Sequence, residues 1–150
     1  MTAWLHIIGI GEDGLDGLTA TARSCIASAA YIIGGKRHHA LIGACSAERI
    51  NWPSPFDALI ADLQALRGEN VVVLATGDPL WFSVGNRIAA SFDIDELVFY
   101  PHVSAFQLAA SRLVWALQDV TCLSVHGRPI ERIKPHVQNG QKLLLLTSNG

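Results

Sequence analysis

Short apolar runs alternate with helix-like patterns along the whole chain, which is typical of an α/β domain built on a largely parallel sheet. The run at 71–75 is continuous and β-branched, as expected of a central strand buried on both faces. Five strands are predicted in the first part of the chain, at 5–10, 31–33, 49–52, 71–75 and 97–100. The pattern therefore predicts one five-stranded α/β unit.

Helices are expected between these strands. The sequence at 54–57 favours a helix start, with Ser54 as N-cap and Pro55 in the first helical position. Ser104 and Gln107 form a capping-box pattern that begins a helix running to about residue 115. The other predicted helices are 18–30, 36–42 and 81–91, and the buried stripe of the helix after 54 is Phe56, Leu59, Ile60, Leu63 and Leu66.

After residue 119 the same alternation starts again, with strands at 122–125 and 142–146 and a helix at 130–137. The pattern predicts an N-terminal α/β domain at 1–119 and the beginning of a second α/β domain at 120–150. Two strands alone would leave a sheet edge uncovered, so we expect the second domain to be truncated.

Composition narrows the class of protein. Half of the 150 residues are apolar and 16% are charged, which is enough apolar residue for a folded core. The net charge of -2, without basic clusters, argues against nucleic-acid binding. The first apolar run is shorter than the roughly 18 residues of a membrane span and lacks a basic leader, so a cytoplasmic protein without membrane attachment is predicted.

Metal and disulfide chemistry are not expected. The cysteines are far apart, without a CxxC pair, and fit reduced, buried thiols: Cys25, Cys45 and Cys122. Four of the histidines show no metal-ligand spacing: His6, His102, His126 and His136. His38 and His39 adjoin Lys36 and Arg37, and this cluster is interpreted as a solvated face rather than a site for substrate carboxylates.

The loop after the first strand matches the dinucleotide pattern GxGxxG at Gly9, Gly11 and Gly14. Its acidic pair Glu12 and Asp13 would repel a pyrophosphate, so a neutral or cationic ligand such as S-adenosylmethionine suits the loop better. Three hypotheses stay open at this point: methyl transfer, an NADP-binding oxidoreductase using the basic residues at 36–37, and a non-catalytic assembly module.

Three segments in order, GIGEDGLDGLT, LATGDPLWFSVG and YPHVSAFQLAASRL, resemble the signature segments of the tetrapyrrole methylases. GDPLWF, SAFQLAASRL, LQDV and SVHGRP resemble the precorrin-6Y C5,15-methyltransferase and cobalt-precorrin-7 C5-methyltransferase branch. The resemblance implies a two-domain α/β enzyme that uses S-adenosylmethionine to methylate C5 of a precorrin in cobalamin biosynthesis. It also implies a homodimer, and it leaves open a fused downstream domain for C15 methylation and decarboxylation.

The resemblance also implies a set of site residues. Asp78 is the one catalytic candidate, with capping of the next helix as its alternative role. Trp81 has core packing as its alternative, and Ser104 is expected to cap a helix as well. Little turnover is expected from the 150 residues alone. The implied donor-binding residues are Gly9, Gly11, Glu12, Thr76, Gly77, Asp78, Trp81, Ser104, Ala105 and Thr147.

Overall fold

The computed structural model describes residues 3–148 and contains a five-stranded parallel sheet. The spatial order of its strands is β3-β2-β4-β1-β5, and each neighbouring pair is parallel. The strands are β1 Leu5–Ile10, β2 Tyr31–Gly34, β3 Glu48–Asn51, β4 Val71–Thr76 and β5 Leu97–Tyr100. The α/β class with a parallel sheet is thus confirmed.

The helices are shorter than the sequence pattern predicts. They are α1 Ala20–Ser28, α2 Lys36–Leu41, α3 Leu59–Ala65, α4 Gly85–Ala89 and α5 Ala105–Leu113. The predicted cap at Ser54 is wrong, because Pro55 precedes a 3₁₀ turn at Phe56–Ala58 and no side chain caps that turn. Within residues 3–148 no helix has the length and apolar character needed to cross a bilayer.

Two buried clusters cover the two faces of the sheet, because side chains alternate between faces along each strand. One cluster joins Ile8 and Ile10 of β1 to Ala22 and Ile26 of α1. The other joins Ile7 to Leu59 and Leu63 of α3 and to Ile88 of α4. Phe56 was predicted to share this stripe but is 41% exposed, because it lies in the turn before α3 and packs edge-on against Trp52. The sheet is therefore sandwiched between helices.

The strand order places a crossing point of the chain at the centre of the sheet. After β1 the chain passes over β4 to reach β2, and after β4 it passes over β1 to reach β5. The two connections leave in opposite directions, so a crevice opens beyond the carboxyl ends of β1 and β4. Ligands of open parallel sheets bind in crevices of this kind.

The chain divides into two compact units, residues up to 104 and residues from 105 on. The second unit contains α5 and a parallel pair of strands, β6 Val120–Ser124 and β7 Lys142–Leu146, with a 3₁₀ helix at Ile130–His136 between them. Within it, the ammonium group of Lys142 lies 5.5 Å from the ring centre of Trp115. The domain boundary of this chain expected at 119/120 is not tested by this division and stays a prediction.

A buried carboxylate fixes the start of β5. Glu96 accepts hydrogen bonds from Trp4 Nε1 at 2.9 Å and from Arg67 Nη2 at 3.0 Å. The backbone N–H of Asp93 donates to the same carboxylate at 3.2 Å. The Trp4 hydrogen bond is the main reason that the pKa of Glu96 is lowered, with Asp93 and Arg67 adding to it against the opposing effect of burial. The folded state therefore stabilises the ionised form of Glu96.

Glu96 is therefore expected to make folding stability depend on acid pH. A carboxyl with a lowered folded-state pKa contributes stability above its unfolded pKa of about 4.3, and this contribution is lost as the pH falls through the folded pKa. Glu96→Gln should thus cost stability at pH 7 and progressively less below about pH 4. Urea unfolding of both proteins at several pH values measures this, with the exposed Glu48→Gln as control. A constant difference between the proteins across this range would contradict the assignment.

Candidate functional site

The loops that follow β1, β4 and β5 meet at the carboxyl edge of the first sheet. Gly9 and Ile10 lie opposite Ala75 and Thr76 in the parallel register, and the backbone N–H of Gly77 donates to the Ile10 carbonyl at 3.0 Å. A Cβ on Gly9 would collide with the Gly77 carbonyl oxygen and lie 2.7 Å from His102 Cβ. Glycine at position 9 is what lets the three strand ends close together.

Gly77 holds the loop after β4 in a conformation that most residues avoid. Its φ is +67°, in the left-handed region that glycine adopts freely. A Cβ here would lie 3.2 Å from Ser104 Cα and 3.6 Å from the Val103 carbonyl oxygen. The loop after β4 therefore packs backbone to backbone against the loop after β5, and Ser104 is buried at this contact.

Gly11 borders side chains instead of backbone. A Cβ on Gly11 would lie 2.9 Å from both Asp13 Oδ1 and His102 Nε2. The Asp13 carboxylate and the His102 ring are 3.8 Å apart, and the His102 side chain is 12% exposed. Asp13 and His102 thus face each other across Gly11.

Glu12 has a partner outside its own loop. Its carboxylate forms an ion pair with the guanidinium of Arg37 at the start of α2. Both side chains are largely exposed, so the pair adds little stability. The two hypotheses had assigned these residues to different ligands, Glu12 to the methyl donor and Arg37 to an NADP phosphate. In the structure Glu12 and Arg37 are paired with each other.

The loop after β1 differs from the dinucleotide motif that its sequence matches. In that motif the helix N-terminus presents its amides directly to the pyrophosphate. Here Gly14, with φ +58°, begins a 3₁₀ turn at Gly14–Gly17, and α1 starts only at Ala20. The hydroxyl of Thr19 already accepts from the Ala22 N–H at 3.2 Å. This geometry does not favour the NADP hypothesis.

Asp78 organises the turn that follows Gly77. Its Oδ1 accepts from the Leu80 N–H at 2.9 Å, and the Trp81 N–H donates to the Asp78 carbonyl at 3.3 Å. The helix predicted at 81–91 begins only at Gly85, so the alternative that Asp78 caps this helix is wrong. Residues 81–83 form bends and residue 84 a turn instead, with Phe82 at φ +50°, and Trp81 is half-buried beside Asp78 and its turn.

Gly85, which the sequence analysis did not single out, packs against the same turn. A Cβ on Gly85 would collide with the Pro79 carbonyl oxygen and lie 2.9 Å from Phe99 Cε1. Pro79 is consequently buried against the start of α4. The signal that could have found this residue is the glycine itself, since glycine is unfavourable inside a helix unless something needs its space.

His38 and His39 were predicted to lie on a solvated face, but the structure buries both. His38 and His39 are only 8% and 7% exposed, so the interpretation of a solvated face is wrong for them. His38 Nε2 lies 2.8 Å from Thr76 Oγ1, and His39 Nε2 lies 3.1 Å from the Ile50 carbonyl oxygen. Thr76 itself is exposed at the end of β4. His38 therefore reaches a predicted site residue.

A cavity of about 270 Å³ opens beside this edge, between the ends of β1 and β5 and the start of α1. It includes Gly9 and His102, and its outer wall is made by Thr19 and Thr21. Tyr100 also lines it, and burial raises the pKa of the tyrosine hydroxyl, which keeps that group neutral. The carboxyl edge is thus concave next to the glycine loop.

The predicted site residues fall into two groups. Those of the first unit come together at the carboxyl edge of the sheet: Gly9, Gly11, Glu12, Thr76, Gly77, Asp78, Trp81 and Ser104. Ala105 is the first residue of α5, and Thr147 follows β7, so both belong to the second unit. Their part in a common site stays a prediction, as does the Ser104 capping box.

Comparison of sequences identifies relatives with this pattern. A family model described as tetrapyrrole (corrin/porphyrin) methylases matches residues 4–149. A decarboxylating precorrin-6Y C(5,15)-methyltransferase from Sinorhizobium sp is 46% identical over the whole chain, which spans 37% of that protein. A cobalt-precorrin-7 C(5)-methyltransferase from Salmonella typhimurium is 32% identical over 95% of the chain, and 70% of that protein is covered.

Comparison of structures agrees with the sequences. The precorrin-6Y methylase of Archaeoglobus fulgidus superposes with a TM-score of 0.72 at 25% identity, covering 94% of this chain and 71% of its own. A uroporphyrin-III C-methyltransferase from Thermus thermophilus shares the fold, with a TM-score of 0.70 at 23% identity, covering 97% and 68%. With its glycine loop, its turn at residues 77–79 and its five-stranded sheet, the chain belongs to the tetrapyrrole methylase family.

Proposed function

We propose that this chain holds S-adenosylmethionine at the carboxyl edge of its first sheet and serves the methylation of C5 of a precorrin in cobalamin biosynthesis. The observation that carries the proposal is the convergence of the loops after β1, β4 and β5 around Gly9 and Gly77. Ligands of open parallel sheets bind at such an edge. Membership of the family and the names of the relatives support the choice of reaction.

The charges at this edge fit S-adenosylmethionine better than a phosphate ligand. Asp13 and Asp78 carry carboxylates on the loops after β1 and β4, and the charge of Glu12 is balanced by Arg37. Carboxylates attract a sulfonium or ammonium group and repel a pyrophosphate. The start of α1, set back behind a 3₁₀ turn, argues in the same direction.

The proposed roles follow from what each residue contacts. The donor supplies a methyl group on a positively charged sulfur. This transfer needs alignment and exclusion of water more than it needs a protein nucleophile. Gly9, Gly11 and Gly77 would allow close approach of backbone amides. Because Asp78 accepts from the Leu80 N–H, we assign it to shaping the turn and hydrogen-bonding the donor, not to general base catalysis.

Other parts of the proposal extend beyond the described site. The precorrin-6Y relatives' name includes a second methylation, at C15, and a decarboxylation, and this chain spans about a third of their length. We assign those reactions to a separate downstream domain. Ala105 and Thr147 of the second unit are proposed as further donor contacts. A homodimer is proposed from family resemblance, and light scattering of the purified protein tests it.

Calorimetric titration with S-adenosylhomocysteine tests the proposed function, using the protein as its gene encodes it. We expect saturable binding of S-adenosylhomocysteine and none of NADP, because the loop after β1 lacks the dinucleotide geometry. NADP binding without S-adenosylhomocysteine binding would overturn the proposal in favour of an oxidoreductase. A folded protein that binds neither compound would point to an assembly module and would also overturn it.

A further inference from the structure

Both ring nitrogens of His38 form hydrogen bonds within the first unit. The backbone N–H of Gly35 donates to His38 Nδ1 at 3.1 Å. On the other side of the ring, Nε2 lies 2.8 Å from the hydroxyl oxygen of Thr76. The side chain thus bridges the start of α2 and the exposed end of β4, and it is 8% exposed.

These two contacts fix the tautomer of the ring. Because Nδ1 accepts a hydrogen bond from a backbone N–H, its lone pair is occupied and it carries no hydrogen. The hydrogen of the neutral ring is therefore on Nε2, which donates it to Thr76 Oγ1. Burial, followed by the charges of Arg37 and His39, lowers the pKa of His38, which favours this neutral form near pH 7.

The sequence around His38 is built to admit the ring. A Cβ on Gly34 would lie 3.1 Å from His38 Cβ and 3.2 Å from its Nδ1. A Cβ on Gly35 would lie 3.1 Å from Trp52 Nε1, and the Trp52 ring packs edge-on against His38 at 6.0 Å between centroids. The double glycine and Trp52 together form the slot in which the imidazole is held.

The hydrogen bond from His38 determines what the Thr76 hydroxyl can do. A threonine hydroxyl has one hydrogen and two lone pairs. With a lone pair directed at His38 Nε2–H, its hydrogen is directed away from His38 and can be donated at the exposed end of β4. Thr76 lies opposite Ile10 in the register and immediately before Gly77, at the edge where the donor site is proposed.

We propose that His38 is a positioning residue of the methyl-donor site, which orients the Thr76 hydroxyl to donate its hydrogen bond to an acceptor atom of bound S-adenosylmethionine. This inference rests on the function proposed above. His38 itself does not contact the ligand in this scheme. The opposite role, in which the His38–Thr76 bond only ties α2 to the sheet, predicts effects on stability without effects on donor affinity.

Two substitutions of His38 test its two hydrogen bonds one at a time. The side-chain oxygen of His38→Asn can take the place of Nδ1 and accept from Gly35, but asparagine is too short to reach Thr76. The amide nitrogen of His38→Gln can take the place of Nε2 and donate to Thr76. In calorimetry with S-adenosylhomocysteine we expect His38→Asn to weaken affinity about three- to tenfold, the worth of one hydrogen bond, and His38→Gln to stay within about twofold of the unsubstituted protein.

The neighbouring histidine provides the matched control. His39 is equally buried, and its Nε2 contacts the Ile50 carbonyl of β3 instead of a site residue. His39→Asn should lower the melting temperature while leaving affinity unchanged. Thr76→Val should weaken affinity as His38→Asn does, Thr76→Ser should restore it, and adding His38→Asn to Thr76→Val should cause little further loss, because both remove the same interaction.

A second ligand tells which part of the donor carries the acceptor. 5′-Methylthioadenosine has the nucleoside of S-adenosylhomocysteine but not its amino-acid portion. If Thr76→Val weakens binding of both ligands, the acceptor is on the nucleoside. If it weakens only S-adenosylhomocysteine, the acceptor is on the amino-acid portion. Either result supports the proposal.

The outcomes also separate this inference from the function on which it rests. If the unsubstituted protein fails to bind S-adenosylhomocysteine, the proposed function fails and the role of His38 falls with it. If the unsubstituted protein binds S-adenosylhomocysteine but His38→Asn and His38→Gln have equal affinities, or Thr76→Val binds normally, the positioning role is overturned while the donor site stands. Circular dichroism melts of each variant ensure that a loss of affinity is not a loss of fold.

Discussion

Gly77→Val should reduce affinity for S-adenosylhomocysteine by roughly a hundredfold or more. Valine at φ +67° costs about 1–2 kcal/mol of backbone strain. Its Cβ would also lie 3.2 Å from Ser104 Cα, closer than the packed backbone accepts without moving. Relief of both strains requires the loop after β4 to separate from the loop after β5. Since the proposed donor site is made of these loops, the affinity measured by calorimetry should fall by at least this factor.

Gly43→Val is the control for this substitution. Gly43 has nearly the same φ, +63°, but a Cβ there would meet nothing within 4 Å. Gly43→Val should therefore suffer the backbone strain and lose stability, yet bind S-adenosylhomocysteine normally. Equal affinities of the two variants would mean that the Gly77 loop does not hold the donor. Thermal melts of both proteins show how much of each effect is stability.

The strands could be predicted from the sequence because their signal is local. β1 and β5 lie at the predicted residues, since mainly apolar runs are bounded there by Gly11 and by Pro101. The spatial order of the strands could not be predicted in this way. Placing β4 between β1 and β2 depends on contacts between residues far apart in sequence, and it is this order that brings Gly77 beside Gly9.

The helix errors have a tertiary cause. Residues 81–84 have helix-compatible side chains, but Gly85 packs on the Pro79 carbonyl and Phe82 adopts φ +50°, so the chain bends before α4. Phe56 carries the right spacing for a buried stripe, yet it packs on Trp52 outside α3. In both places, packing against a distant residue overrides the local pattern.

Part of the candidate site could be predicted from the sequence, because the glycines near strand ends are a local signal. Gly9 lies near the carboxyl end of β1, and Gly11 and Gly77 directly follow β1 and β4, so the rule that ligands bind at carboxyl ends located them. His38 was misjudged because it follows Lys36 and Arg37, a local sign of exposure. Its burial depends on the space left by Gly34 and on the ring of Trp52. His102 shows no spacing signal, and only the fold brings it to Gly11.

Gly9→Ala should cause the largest loss of folding stability among substitutions at this edge, about 3 kcal/mol. The added methyl would collide with the Gly77 carbonyl oxygen and lie 2.7 Å from His102 Cβ. Neither atom can move by a simple side-chain rotation, because one is backbone and the other is attached directly to it. β1 and β4 would have to separate where Gly9 pairs with Ala75. Urea unfolding gives the change in the free energy of unfolding.

Gly11→Ala tests this reasoning two residues further along the same loop. A Cβ on Gly11 would meet Asp13 Oδ1 and His102 Nε2 at 2.9 Å, which are the far ends of side chains that can rotate away. The free energy of unfolding should therefore fall by less than about 1 kcal/mol. If Gly11→Ala proved as costly as Gly9→Ala, the distinction between backbone and side-chain contact would be wrong. The large loss would then reflect a general intolerance of the loop, and the close approach of the three strand ends at Gly9 would not explain why glycine is needed there.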